Sequence, residues 1–388
     1  MIQFLIFTFF FFNYSFADNP SYNVQDFGAH PNGRSDCTES FLQAWQAACS
    51  TTTRATVYVP QGVYKLKQTI FDGDKCENED ITFRIDGTLV APSNYEVIGH
   101  KFSWLQFQDV TGLTIDGGTL YGQGQSLWSC KKFGKSCPIG ATSLGIYNSQ
   151  HVNISGLSSF NSQLFHIIIF GCQHVELIGT KISAHGKSPN TDGIHISQSS
   201  DVTILDSEIS TGDDCISIGP ASSYVWIEKL SCGPGHGVSI GSLGWSSDEE
   251  GVYNVTVKTA TFTGTTNGVR IKTWSRDTNS YVTGVLFQHL EMDDAQNPII
   301  IDQNYCPGNE GCPHQGSGVK ISDITYQDVH GTSASQVAVN LACSKKEHCD
   351  GIKLDGVKLT YNNQQAMASC SNAYVTQSDE TLPKCSQY

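Results

Sequence analysis

The 388-residue sequence is short of positive charge, of Cys-x-x-Cys pairs and, past its first fifty residues, of helical periodicity. Each shortage excludes something. Its 23 Lys and Arg stand against 37 Asp and Glu and form no basic run, so a nucleic-acid backbone would find too little to neutralise its phosphates. No nucleic-acid partner is expected. None of the 14 cysteines forms a Cys-x-x-Cys pair, the spacing that a zinc site would use, and no metal site is expected. There is no linker and no low-complexity stretch, so a single domain is expected.

Residues 1–17, MIQFLIFTFFFFNYSFA, carry no charged side chain, end in a small residue and give way at Asp18 to a polar stretch. This pattern predicts a secretory leader removed after Ala17. The run falls short of the roughly 20 residues needed to span a bilayer, so the mature chain, 18–388, is expected to have no membrane association. Export makes the cysteines legible, because an even count in an oxidising compartment favours disulfides. Cys130 with Cys137, Cys306 with Cys312, and Cys343 with Cys349 are spaced to close single loops. Asn153-Ile-Ser155 and Asn254-Val-Thr256 are glycosylation sequons, which fit an extracellular surface.

One segment reads as a helix: Phe41, Leu42, Trp45 and Ala48 recur at helical spacing behind a Ser/Thr-and-acid start signal. The rest reads as short strands bounded by turn residues, among them TVYVP, VTILDSEIS, VWIEKLS, VTVKTATF and VKISDITY. Aligning Val175, Val202, Val225, Val255, Val285, Val319 and Ile352 gives steps of 23 to 34 residues, the period of a solenoid. Without helices between the strands a doubly wound α/β fold is disfavoured. An all-β sandwich would need hairpin turns that are only scattered here. The pattern therefore predicts an all-β, single-stranded right-handed parallel β-helix, whose open first coil the N-terminal helix would cap.

The charge is concentrated mid-chain. Asp192 lies in PNTDGIHI, Asp214 in TGDDCISIG and His236 in GPGHGVSIG, at equal steps of 22 residues, each just ahead of a similar strand. In a solenoid, equal steps stack residues about 4.8 Å apart. Asp213 adds a third carboxylate, provided that Gly212 helps the backbone turn it to the same side as Asp214. Repulsion in such a cluster raises at least one carboxyl pKa, which keeps one group protonated while another is ionised. Any one of these acids alone is better read as a turn residue; three in register favour acid–base chemistry. Further on, Arg270 and Lys272 share one strand face; alone such a pair reads as a solvated face, but with His236 it forms a local cationic patch suited to a substrate carboxylate. Tyr305 follows another strand on the same side, where an aromatic lid on a turn is the alternative.

Taken in order, NTDG at 190–193, GDDC at 212–215, GHG at 235–237 and RIK at 270–272 resemble the four motifs of the polygalacturonases, glycoside hydrolase family 28, and the plant branch most. The resemblance implies a parallel β-helix that hydrolyses α-1,4 bonds of polygalacturonic acid, the pectic polysaccharide, with inversion at the anomeric carbon. It also implies a monomeric, cofactor-free enzyme secreted to the cell wall. On the matching positions, it implies Asp213 as general acid and Asp192 and Asp214 as the pair that activates water. His236 would tune the acid, Arg270 and Lys272 would bind the substrate carboxylate, and Tyr305 would stand beside the cleaved sugar. Cys215 would pair with Cys232. An inverting enzyme separates acid from base by about 6.5–9.5 Å, so the acid is expected to be offset from the base pair. Two other chemistries fit the same scaffold: a pectate lyase-like enzyme with Ca²⁺ on the acids and Arg270 as base, and a non-catalytic pectin-binding wall protein.

Overall fold

The computed structural model describes residues 19–134 and 136–386; the predicted leader lies outside them. The chain winds as a right-handed parallel β-helix. One face is a sheet of eleven strands in strict sequence order, from Thr69–Asp72 through Ile194–Ser197, Ile216–Ile218, Val238–Leu243 and Asn267–Trp274 to Met367–Ser371. A larger, 19-stranded sheet forms the other faces.

The alternation of the sequence explains the winding. Along the smaller sheet Ile194, Ile216, Val238, Val269 and Ile299 lie in one register row, and Ile196, Ile218, Ile240, Ile271 and Ile301 in another. All ten are fully buried. Each contributes on the order of 1.5–3 kcal/mol by leaving water. The residues between them, His195, Ser217, Ser239 and Arg270, form the outward row.

On the larger sheet Val175, Val202, Val225, Val255 and Val285 stack in the predicted register. Val319 does not continue it. The partner of Val285 is Ile324, which in turn pairs with Ile352. The preceding loop, closed by Cys306–Cys312, lengthens this coil, and Val319 is buried just ahead of the strand Lys320–Ser333. Immediately before these register residues, His174, Asp201, Tyr224, Asn254, Gly284, Asp323 and Gly351 all have positive φ, so one left-handed residue bends each of these seven coils at the same place.

The predicted helix spans Thr38–Cys49 and buries Phe41, Ala44, Trp45 and Ala48. Its aromatic rings reach into the first coils: Phe41 meets Tyr64 and Phe83, and Trp45 meets Phe71 and Phe107. It therefore covers the apolar end of the solenoid. Its start differs from the sequence signal: the capping position is Cys37, and Asp36 Oδ1 accepts from the Thr38 amide instead. A second helix, Gln125–Lys132, was not predicted. Only Leu127 and Cys130 are buried in it, too few to show a helical stripe, and the Cys130–Cys137 disulfide ties it down.

All three short-range cysteine pairs are disulfides, as is Cys215–Cys232; Cys49–Cys76 and Cys370–Cys385 complete six. Cys37 and Cys172 are buried thiols, and burial pushes Cys172 up to about 11.

Candidate active site

The equal spacing of the acids becomes a physical stack because the ladder continues past the strand ends. The Gly193 amide donates to the Asp214 carbonyl, and the Cys215 amide donates to the Gly237 carbonyl. Asp192, Asp213–Asp214 and His236 thus occupy one position on successive coils, at the entry to the smaller sheet. Gly212 is needed here for space. A Cβ on it would come 2.1 Å from the Ser188 carbonyl oxygen and 2.4 Å from the Ser188 nitrogen. Its φ is not positive, yet Gly212 and Asp213 form the predicted bend, and the glycine also allows a close approach between neighbouring loops. The Gly212 amide donates to Thr191 Oγ1, and Cys215–Cys232 anchors the far side of the acidic pair.

The three carboxylates have different surroundings. Asp214 is buried and fully engaged. Its Oδ1 accepts from Arg270 Nη2 at 2.8 Å and from Ser239 Oγ at 2.8 Å, and its Oδ2 accepts from Lys272 Nζ at 2.7 Å. Asp192 is also buried, and its Oδ2 accepts from Ser217 Oγ at 2.7 Å. Burial, and then repulsion from Asp213 and Asp214, push the Asp192 carboxyl well above the usual range. Asp213 is the most open of the three, at 20% side-chain exposure beside His236 at 37%. Its Oδ1 lies 2.9 Å from His236 Nδ1, and Asn190 Nδ2 donates to its Oδ2 at 3.4 Å. Burial alone would raise Asp213, but the hydrogen bond and charge of His236, with help from Lys272, hold it below the usual range.

The predicted cluster is therefore present, and its repulsion falls on Asp192. Arg270 and Lys272 do share one face, and both also hold Asp214. The Tyr305 ring lies beside both cations, 5.9 Å from the Arg270 guanidinium carbon and 5.4 Å from Lys272 Nζ. All seven candidate residues are thus brought into one neighbourhood.

Several site residues escaped the sequence reading. His195, Ser217 and Ser239 are the outward middle residues of the phrases IHI, ISI and VSI, which served only as register marks. His195 Nδ1 lies 2.7 Å from Ser217 Oγ, and burial lowers this imidazole to about 4. Trp274, two residues beyond Lys272, packs edge-on against Tyr305 at 5.4 Å and against Trp245 at 4.8 Å. Arg276 covers Trp245 at 3.8 Å. Extending the alternation of RIK by one step would have reached Trp274.

Asp213, Asp214 and His236 present donor atoms within 4.8 Å of one another, a geometry that a cation could use. Asp214, however, already has two cationic partners, against which a divalent ion would be repelled. The same value shows that Asp213 and Asp214 approach more closely than the offset expected between the acid and base of an inverting enzyme.

Residues 49–379 match the model of the Glycosyl hydrolases family 28. A polygalacturonase from Prunus persica is 55% identical over 95% of this chain and 94% of its own. An exopolygalacturonase from Platanus acerifolia is 40% identical over 94% of this chain and 97% of its own. Among solved structures, an endo-xylogalacturonan hydrolase from Aspergillus tubingensis superposes with a TM-score of 0.78 at 24% identity, covering 93% of this chain and 99% of its own. An exopolygalacturonase from Thermotoga maritima gives 0.75 at 19% identity, covering 94% and 92%. Both share the fold.

Proposed function

The chain belongs to glycosyl hydrolases family 28 and is a pectin-degrading polygalacturonase, and we propose that Asp213 is its proton donor and Asp192, with Asp214, its water-activating base. The observation that carries this division is exposure: Asp213, hydrogen-bonded to His236, is the most open of the three carboxylates, while Asp192 and Asp214 are buried behind it. Two carboxyls whose surroundings separate their titrations can act as acid and base at the same pH.

Burial and repulsion leave a proton on the cluster, and in the free site it is on Asp192. Hydrolysis needs the proton on Asp213, next to the leaving oxygen. In the substrate complex the proton is on Asp213, the carboxyl most open to the cleft, once substrate excludes water. Asp213 then protonates the leaving glycosidic oxygen as the C–O bond breaks. Asp192, now ionised, takes a proton from a water that attacks the anomeric carbon. Asp214 keeps Arg270 and Lys272 in place, and Lys272, flanked by the Tyr305 ring, meets the uronate carboxylate. Held on Asp214, Arg270 remains a cation and a poor candidate for the base of a lyase.

The mature enzyme is the single domain 18–388, exported by its leader, acting as a monomer on polygalacturonic acid in the cell wall. Among the described residues no helix is long and apolar enough to cross a membrane. An Asp213→Asn variant that folds, by circular dichroism, is expected to release reducing ends from polygalacturonate at least 100-fold more slowly than the parent. Undiminished release would overturn the role of Asp213.

A further inference from the structure

Tyr224, Tyr253 and Tyr281 follow one another on three adjacent coils of the larger sheet, away from the acidic cluster. Their rings touch in series, with centroids 5.4 Å apart from the first to the second and 6.4 Å from the second to the third. Tyr224 is 52% exposed and Tyr281 38%. Neither the core nor the proposed chemistry uses this apolar stripe.

Asn254 of the second sequon sits against it. Tyr224, Asn254 and Gly284 are the left-handed residues of three successive coils, so Asn254 has an aromatic ring on one side and no side chain on the other. A Cβ at Gly284 would stand 3.1 Å from Asn254 Oδ1. Among the described residues the Asn254 amide makes no hydrogen bond. The left-handed Asn372, by contrast, donates through Nδ2 to the Cys343 carbonyl at 3.0 Å. The other sequon has different neighbours: Asn153 pairs with Thr114 and Glu176 and meets no ring.

We infer that Asn254 is a modification site, bearing an N-linked glycan whose first sugar lies on the Tyr224–Tyr253–Tyr281 stripe. In the covalent step Asn254 Nδ2 displaces a lipid diphosphate from the anomeric carbon of a polyprenyl-diphosphate oligosaccharide. A C–N bond forms, the sugar–phosphate C–O bond breaks, and the amide loses one proton to the transferase. The apolar face of the attached N-acetylhexosamine covers ring surface that would otherwise face water. This rests on the proposed export of the chain.

The chain is tested by expression with its own first 17 residues in a eukaryotic secretory host. Appearance in the medium reports the leader, and glycopeptide mass mapping reports Asn254 separately. Most secreted chains are expected to carry the glycan at Asn254; secreted chains with Asn254 bare would overturn the inference. Trimming to a single N-acetylglucosamine is expected to leave the thermal midpoint unchanged. Loss of the sequon by Thr256→Val is expected to lower it by roughly 1–3 °C. Tyr224→Ala should abolish that difference between glycosylated and bare chains and Tyr224→Phe should retain it. An undiminished difference in Tyr224→Ala removes the stripe's role.

Discussion

The Ser217 hydroxyl donates to Asp192 Oδ2 at 2.7 Å, one coil away from the acid it serves. It is the hydrogen bond that opposes the burial and repulsion raising Asp192. With the hydroxyl hydrogen committed to Asp192, the 2.7 Å contact with His195 requires the imidazole to donate from Nδ1. Ser217→Ala removes a donor that favours the ionised carboxylate, so the Asp192 carboxyl rises further. The acidic limb of kcat/KM is expected to move to higher pH, with activity below that limb reduced about 10-fold. An unmoved limb would exclude Asp192 as the group that must ionise.

Asp214 is the hinge of the site's charge balance. Asp214→Asn leaves Arg270 and Lys272 buried without their carboxylate, and breaking a buried pair from one side costs about 3–5 kcal/mol. Urea unfolding is expected to show a loss of this size. Adding Lys272→Met to Asp214→Asn should restore part of the stability while activity stays absent. A double variant no more stable than the single would mean that the pair is not coupled.

His166 sets an acid limit on the fold. It is fully buried, its Nδ1 lies 2.9 Å from Ser159 Oγ, and burial lowers it from 6.5 to about 3. The unfolded chain binds a proton here below pH 6.5, and the folded chain does not until much lower pH. Stability from this group is thus complete above that value and is lost as pH falls, by a few kcal/mol over the window. His166→Gln is expected to flatten the stability–pH curve between neutral pH and pH 4.5, the two curves converging on the acid side.

How much of this was legible in the sequence follows from range. Asp192, Asp214 and His236 could be placed in register because each precedes its own strand by the same interval, a local relation repeated three times. The partners of Asp214 could not, since Arg270 and Lys272 lie 56 and 58 residues away and meet it across two coils. Val319 was misplaced for a related reason: pattern recognises an apolar residue before a strand but not the loop that shifts the coil by five positions. The crowding of Gly212 was not legible either, because the chain that crowds it, at Ser188, is brought in only by the previous coil.

Cys215–Cys232 fastens the acidic segment to the larger sheet across a separation of 17 residues. Closing a loop of this length stabilises by about 3 kcal/mol. The Cys215→Ala/Cys232→Ala double variant is expected to lose about that much in urea unfolding. It should also lose kcat more than KM, because Asp213 and Asp214 directly precede the anchored cysteine. Loss of stability with kcat intact would make the bridge a staple of the fold alone.

The assignment of acid and base can be separated from mere membership of the cluster by changing the leaving group. A proton donor matters less when the departing group needs no proton, whereas a base is needed for any leaving group. An aryl galacturonide with an acidic phenol is therefore expected to be hydrolysed by Asp213→Asn at within about 10-fold of the parent rate, against the loss of at least 100-fold on polygalacturonate. Asp192→Asn should be slow on both substrates. It should also unfold at a higher temperature at neutral pH, since burial and repulsion in the fold oppose the ionisation of Asp192 that the unfolded chain allows there. Rescue of Asp192→Asn in place of Asp213→Asn would exchange the two roles, which is the distribution of the proton in the free site. The anomer first formed, followed by proton NMR, completes the test. With Asp213 and Asp214 oxygens within 4.8 Å, a β-galacturonate product would place the attacking water on Asp192, while an α product would make a carboxylate the direct nucleophile.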